Sequence, residues 1–380
     1  MKVVVWLVAV LMLVGVSSAS AHPTSPKNAP QPAQAEAERW RWAEVGLSFD
    51  YPADWSFTRD QQFDFILVSP ESSRFIGLQS GPLPEDSSLE DLMARFGEQF
   101  GSTPEAIEFG GVDAFQLVVP PSNDAQGLVI GYEYREGQVA LLNFQAMAED
   151  WEAAFGDTAQ EIIASAEVDP LDLDLESINA QLQASLEADE PMVIGDPDAR
   201  VLMVEVLDFS CVHCVRFANS LDRILQDYVA SGQVQVRLVH ITSIGGEASE
   251  VATHAQLCAI EQGLGWQMHE LLVKGYQAVG GREFYTLENI LAAVQDDDLE
   301  LATEDFQTCI EEKRHANIIE IDTAYANEFG IRSTPSLLFG VDGETPQFLS
   351  NPDGTPAAGG LPLITIYAFF DEQLAEEAGG

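Results

Sequence analysis

The sequence predicts two folded domains: a smaller α+β domain, then an α/β domain whose halves are separated by a helical insertion. Three observations carry this. The chain has 380 residues, enough for two cores. Between residues 39 and 168 short strand-like runs punctuated by turn residues outnumber helical patterns. From residue 191 the order becomes strand, helix, strand, a long helical stretch, then strand and helix.

Taken in order, residues 1–21 have the layout of a secretory signal peptide. Lys2 precedes an apolar run from Val3 to Val16, and Ala19-Ser20-Ala21 gives small residues for cleavage after Ala21. The run is short for a spanning helix, although a retained anchor is the alternative. Residues 22–38 (HPTSPKNAPQPAQAEAE) are rich in Pro, Ala and Gln without apolar periodicity, and read as a linker. In the first domain, VGLSFDYP, FDFILVS, DAFQLVVP, VIGYEYREG and QVALLNFQAM are strand candidates. SLEDLMARFGEQF and Trp151–Ala166 are the helices. Residues 169–190 form an acidic connector with a helix from Leu175 to Ala188. The second domain, 191–380, opens with a strand at Val201–Leu207, a helix after Cys211 and the strand VQVRLVHI. Helical spacing then runs from Ala248 to Ile319. A strand at Ser336–Gly340, a turn at Asp342-Gly343 and a helix from Leu363 to Glu377 close it.

Composition limits the partners. The chain carries 62 acidic against 17 basic residues, a formal net charge of -45. Phosphate backbones and anionic lipid surfaces would repel it, so no nucleic-acid partner is expected. The plain reading is a heavily solvated acidic surface.

The chemistry concentrates in four cysteines. Cys211 and Cys214 stand as C-x-x-C where a strand gives way to a helix. Unpaired N–H groups at a helix start stabilise negative charge, and the thiolate is the reactive form of cysteine. His213, between them, would add favourable charge if protonated. A structural zinc site needs four ligands in paired clusters, and the other cysteines are distant. Covalent haem needs C-x-x-C-H, and position 215 is Val. An inert buried pair remains the bland alternative, disfavoured by the helix-start placement and the export signal. His240, His254, His269 and His315 show no ligand spacing, and no metal is expected. Trp266 and Met268 read as core.

At these residues the second domain resembles the DsbA-like branch of the thioredoxin superfamily. The matching stretches are VIGDPDARVLMVEVLDFSCVHC, AQLCAIEQGLGWQMHELLV and FGIRSTPSLLFG. The resemblance implies a thioredoxin-like fold with a helical insertion and an exported thiol:disulfide oxidoreductase. It implies Cys211 as the exposed nucleophile, Cys214 as its buried partner, and Glu205 as a buried acid beneath them. Strand alternation alone leaves the direction of Glu205 open. Thr334-Pro335 matches the family's cis-proline loop facing the disulfide and its substrate. Cys258 and Cys309 look similar to a second, structural disulfide carried by some relatives. No cofactor beyond the redox-active disulfide is implied. The implied partners are reduced substrate proteins and a membrane quinone-linked reoxidant of the DsbB or VKOR kind. One departure is Val212, where the family commonly has proline. A reductase or isomerase would use the same cysteines. The first domain, through GLSFDYPADWSF and its closing IIASAEV helix, is similar to small PsbP-like domains. That resemblance leaves a binding or chaperone-like protein as the rival of another class.

Overall fold

The computed structural model describes residues 37–58, 63–84, 87–122, 125–351, 355–357 and 359–375. The signal segment and nearly all of the linker lie outside the described residues. The chain divides into two compact units, Met1–Leu171 and Asp172–Gly380.

In the first unit, β1 (Ala37–Trp42), β2 (Leu47–Pro52) and the short β10 (Glu167–Val168) form one antiparallel sheet in the order β1-β2-β10. A second antiparallel sheet has the order β3-β4-β5-β9-β8-β7-β6, built from β3 (Ser56–Thr58), β4 (Phe65–Val68), β5 (Arg74–Pro82), β6 (Glu105–Phe109), β7 (Val112–Ser122), β8 (Ala125–Arg135) and β9 (Gln138–Met147). Period-two alternation sorts its side chains. Leu128, Ile130 and Tyr132 of β8 join Leu142 and Phe144 of β9 in the main core, whereas Val129 and Leu141 face the other side. There they meet Leu92, Met93 and Phe96 of helix α1 (Leu89–Phe100). That helix starts with a capping box in which Ser88 and Asp91 exchange hydrogen bonds. The closing helix has two parts, a π-helical turn at Trp151–Phe155 and α2 (Gly156–Ser165).

Strands β1, β3, β5, β6 and β10 have no counterpart in the sequence reading. β5 (RFIGLQSGP) hides because Gly77 and Gly81 interrupt its alternation. Gly77 is required by packing, since a Cβ there would collide with the Phe63 ring.

The second unit begins with α3 (Leu175–Glu187), which the sequence reading assigns to a connector. The correction has a packing cause: α3 buries Ile178, Leu182 and Leu186. Its Asn179 accepts from the Trp266 backbone N–H at 2.9 Å and donates to Gln267 at 2.7 Å. β11 (Met192–Ile194), β12 (Val201–Leu207), β13 (Val234–His240) and β14 (Ser336–Val341) follow, in the sheet order β11-β13-β12-β14. β12 and β13 are parallel, joined through α4 (Val212–Ile224), and β14 returns antiparallel to β12. Five helices fill the connection between β13 and β14: α5 (Glu247–Glu261), α6 (Gly265–Val279), α7 (Leu287–Asp296), α8 (Thr303–Glu311) and α9 (Ala316–Glu328). α10 (Leu363–Ala375) completes a thioredoxin-like α/β architecture with a helical insertion. After the turn at Asp342-Gly343 the chain pairs back on β14 through an isolated bridge, Phe339 with Gln347. Pro346 lacks the N–H that a longer ladder would need.

Cys258 on α5 and Cys309 on α8 are joined, closing a 51-residue separation. In the chain-entropy account such a closure stabilises by about 4 kcal/mol. The Cys258→Ser/Cys309→Ser double variant is therefore expected to lose about that much in urea unfolding. It should keep its thiol chemistry at Cys211. Beside this bond, Glu261 and His315 approach to 3.0 Å. With Cys309 they form a group of metal-ligating type. Its sulfur is taken by the disulfide, and both Glu261 oxygens accept from Arg314 at 2.8 Å.

Candidate active site

The site forms where β12 ends. The strand delivers Asp208-Phe209-Ser210 into a turn, closed by the Cys211 N–H donating to the Asp208 carbonyl at 2.9 Å. Cys211 is the N-cap of α4, with extended φ and ψ, and Cys214 lies one turn in. Both are free thiols. Val212 occupies the first helical position, where an N–H has no intrahelical partner whether or not the residue is proline. The missing proline therefore costs the helix start no hydrogen bond.

The sequence comparison implies an exposed Cys211, and here the structure corrects it. Cys211 is 8% exposed and Cys214 6%, so accessibility does not separate them. Their surroundings do. The Cys211 thiol is held down to about 5, first by its hydrogen bond with Cys214, against the opposing effect of burial. The Thr334 side chain and the backbone N–H groups of His213 and Cys214 lower it further. The sulfur makes no capping hydrogen bond of good geometry, so the N–H groups act as aligned dipoles. Cys214 moves the opposite way, its thiol pushed far up by burial, by Cys211 and by the Glu205 charge.

Thr334 and Pro335 reach the pair from the start of β14, and the bond between them is cis. The Thr334 carbonyl lies 3.2 Å from the Cys211 sulfur. A carbonyl can accept only from the thiol. The Thr334 hydroxyl, buried and without another partner, is the group able to donate to the thiolate. His213 is exposed.

Glu205 is 2% exposed, so it does not turn toward solvent. Val204 and Val206 face a core with Val239, Ala326 and Leu338. Glu205 and Leu207 face the other way and line a cavity of about 10 Å³ with Cys214, Leu221 and His269. One Glu205 oxygen there has no hydrogen-bond partner. Burial first, and then the Asp222 charge, push its carboxyl up to about 8. At neutral pH Glu205 therefore holds a proton beside the Cys214 sulfur. The cavity is at the threshold for a single water.

Several site residues escape a sequence reading because they come from distant elements. Asp222, about two turns beyond Cys214 on α4, acts on Glu205 through its charge. Tyr276 on α6 feels the charges of Cys211, Glu283, Arg282 and Arg216, and burial raises its phenol. The buried Tyr285 hydroxyl donates to the Phe209 carbonyl at 3.0 Å, fixing the turn from outside. Asp208 accepts from the backbone N–H groups of Ser210 at 2.9 Å and Ile244 at 2.7 Å, and from the Ser249 hydroxyl. The one sequence signal for this group is the acid three residues before Cys211.

Two sulfurs of opposed acidity, with a protonated buried acid beside the reluctant one, are together competent for thiol–disulfide exchange.

Comparison with known proteins adds the following. The Thioredoxin family model matches residues 187–348. A curated relative, the Na(+)/H(+) antiporter NhaA 3 of Salinispora tropica, is 27% identical over 156 residues, 41% of this chain. The chain spans only 22% of that relative's length. Among solved structures, BdbD from Bacillus subtilis in its oxidised form is 20% identical, covering 49% of this chain and 93% of its own, with a TM-score of 0.40. Wolbachia pipientis alpha-DsbA1 is 18% identical, covering 48% of this chain and 90% of its own, with a TM-score of 0.40. The cyanobacterial PsbP from Synechocystis sp. PCC 6803 is 14% identical and covers 38% of this chain and 98% of its own, with a TM-score of 0.29. The strand order, the C-x-x-C at the start of α4 and the family match over residues 187–348 together give the second unit its thioredoxin-type fold.

Proposed function

We propose that this protein is an exported thiol–disulfide oxidoreductase that oxidises cysteine pairs in reduced substrate proteins through a Cys211–Cys214 disulfide. The observation that carries the reading is the split between the two sulfurs, one lowered to about 5 and the other raised by burial. A substrate thiolate attacks the Cys211 sulfur. The Cys211–Cys214 bond breaks, a mixed disulfide forms, and Cys214 leaves with the bonding pair. Cys214 is a poor thiolate, so it takes a proton from Glu205 as it leaves. A second substrate thiolate then attacks the substrate sulfur of the mixed disulfide and expels Cys211 as thiolate. A thiol of low pKa leaves fast, which favours this direction over a reductase or isomerase.

The two electrons now on the cysteine pair pass to an outside oxidant, which we take to be a membrane quinone-linked protein of the DsbB or VKOR type. Export rests on the N-terminal Lys2 and the apolar run ending in Ala19-Ser20-Ala21. Among the described residues, no helix is long and apolar enough to cross a membrane. The surface near Cys211 suits a polypeptide: Val212 beside it and Ile244, whose N–H reaches the Asp208 turn, are exposed hydrophobics, and an extended segment would run along the Thr334-Pro335 loop. Nucleic acid is not a partner in this reading, given the charge of -45.

The test is Cys214→Ser. With Cys258 and Cys309 bonded, Cys211 is then the single free thiol. Challenged with a disulfide-containing peptide, the variant should accumulate a mixed disulfide that peptide mapping places at Cys211. The wild-type protein should resolve it. An adduct at no defined site, or none, would sink the reading.

A further inference from the structure

The turn before Cys211 holds a buried carboxylate for which the exchange steps above have no use. Asp208 is 1% exposed. Its Oδ1 accepts from the Ser210 N–H at 2.9 Å and from the Ser249 hydroxyl, and its Oδ2 accepts from the Ile244 N–H at 2.7 Å. All three partners are donors, the arrangement of an ionised carboxylate. Ser249 is fully buried in the first turn of α5, and its hydroxyl accepts the Gly245 N–H at 3.0 Å and lies 2.9 Å from the Ser210 hydroxyl. Gly245 has no room for a side chain, since a Cβ would run into both serine hydroxyls. One carboxylate thus ties the turn presenting the thiol to the loop and helix that open the insertion. The same helix carries Cys258, held to α8 by the disulfide.

We propose that Asp208 is a positioning residue for Cys211, which anchors the reactive turn to the insertion and sets a fixed negative charge against the thiolate. The proposal deepens the exchange reading, on which it rests only in taking Cys211 as the reacting thiol. The two roles pull in opposite directions. Anchoring keeps the sulfur over the start of α4, where the aligned N–H groups favour the thiolate. The charge opposes it: burial raises the Asp208 carboxyl first, its three donors hold it down, and the neighbouring Cys211 charge adds a smaller rise, which by reciprocity the ionised carboxylate returns to Cys211. The other titratable groups near the sulfur and the carboxylate are Cys214 and His213 on α4, Tyr276 on α6 and the buried Tyr285, with Arg216, Arg282 and Glu283 around Tyr276. Among these, Asp208 is the buried carboxylate on the same turn as the thiol. Its presence implies an oxidant held back from its full strength.

The opposed signs let one variant read which role dominates. In the full-length reduced protein, Asp208→Asn removes the charge and keeps one acceptor oxygen for Ser210 and Ser249, while its amide NH2 meets the Ile244 N–H. The half-point of the Cys211 alkylation rate against pH should fall by about one pH unit. The equilibrium with glutathione at pH 7 should move about tenfold toward the reduced protein, about 30 mV. If Asp208 only braces the turn, the half-point rises and the equilibrium moves toward the disulfide. That outcome, or no change, overturns the proposal. A measurement on the wild type avoids any dependence on the variant's folding. The Asp208 carboxyl carbon, followed by NMR, should titrate at higher pH in the reduced protein than in the disulfide form. Equal titration in both forms also overturns it. Neither readout is turnover, so failure of the exchange reading in a substrate assay remains distinguishable.

Discussion

Cys211→Ser is expected to abolish oxidation of a reduced dithiol peptide, a fall on the order of 10³-fold or more, because a hydroxyl can form no disulfide and the reacting atom is gone. The wild-type thiol adds a pH signature. Its ordinary value is 9.0 and the folded protein holds it at about 5. Below pH 5 folded and unfolded chains both keep the proton. Between 5 and 9 the folded chain has released it and the unfolded chain has not, so the reduced protein gains stability as pH rises and loses it as pH falls back through 5. Stopped-flow alkylation of reduced wild type should therefore stay near its plateau at pH 7 and be halved near pH 5. Cys211→Ser should remove that fast phase. A variant that still oxidises the peptide at the wild-type rate would place the chemistry elsewhere.

Glu205→Gln is expected to stabilise the protein at alkaline pH while slowing its reaction. The Glu205 carboxyl sits at about 8 in the folded chain against an ordinary 4.5. Below 4.5 both states are protonated and the burial of a neutral acid costs little. As pH rises from 4.5 to 8 the unfolded chain ionises and the folded one does not, so stability drains away. Above 8 the folded chain carries a buried charge, and the accumulated loss is roughly 5 kcal/mol. The amide never ionises, so urea unfolding of the disulfide form at pH 9 should show Glu205→Gln more stable than wild type by several kcal/mol. At pH 4 the two should be close. Using the disulfide form keeps the Cys211 titration, which has the opposite slope, out of the comparison. The same variant cannot hand a proton to Cys214, so formation of the mixed disulfide should slow by about 10²-fold at pH 7. Equal stabilities at pH 9 would mean that Glu205 is solvated and ionises normally.

The parts of this site readable in sequence are those that chain order itself places together. The strand Val201–Leu207, the two cysteines and the helix after them are contiguous, and a C-x-x-C at that junction has few readings. Other parts depend on what covers a strand. Glu205 could not be assigned a side because β12 lies between β13 and β14 with both faces buried, so apolar residues fill both phases of the alternation. The residues that fix the turn were illegible for a different reason: Ile244, Ser249 and Tyr285 reach it across 36 to 76 residues of chain. Nothing in their own neighbourhoods marks them. β11 is three residues long and was missed through brevity, and β5 through its glycines. The α3 helix was visible as a helix. Its membership of the second unit was not, because Asn179 finds its partners 87 and 88 residues away.

The claim that this site is built to oxidise is most directly tested by the reduction potential of the Cys211–Cys214 pair, equilibrated in glutathione buffers and read by thiol alkylation. The account predicts an oxidising value, between about −120 and −180 mV. A value near −270 mV, the range of thioredoxin, would contradict it and make the protein a reductase.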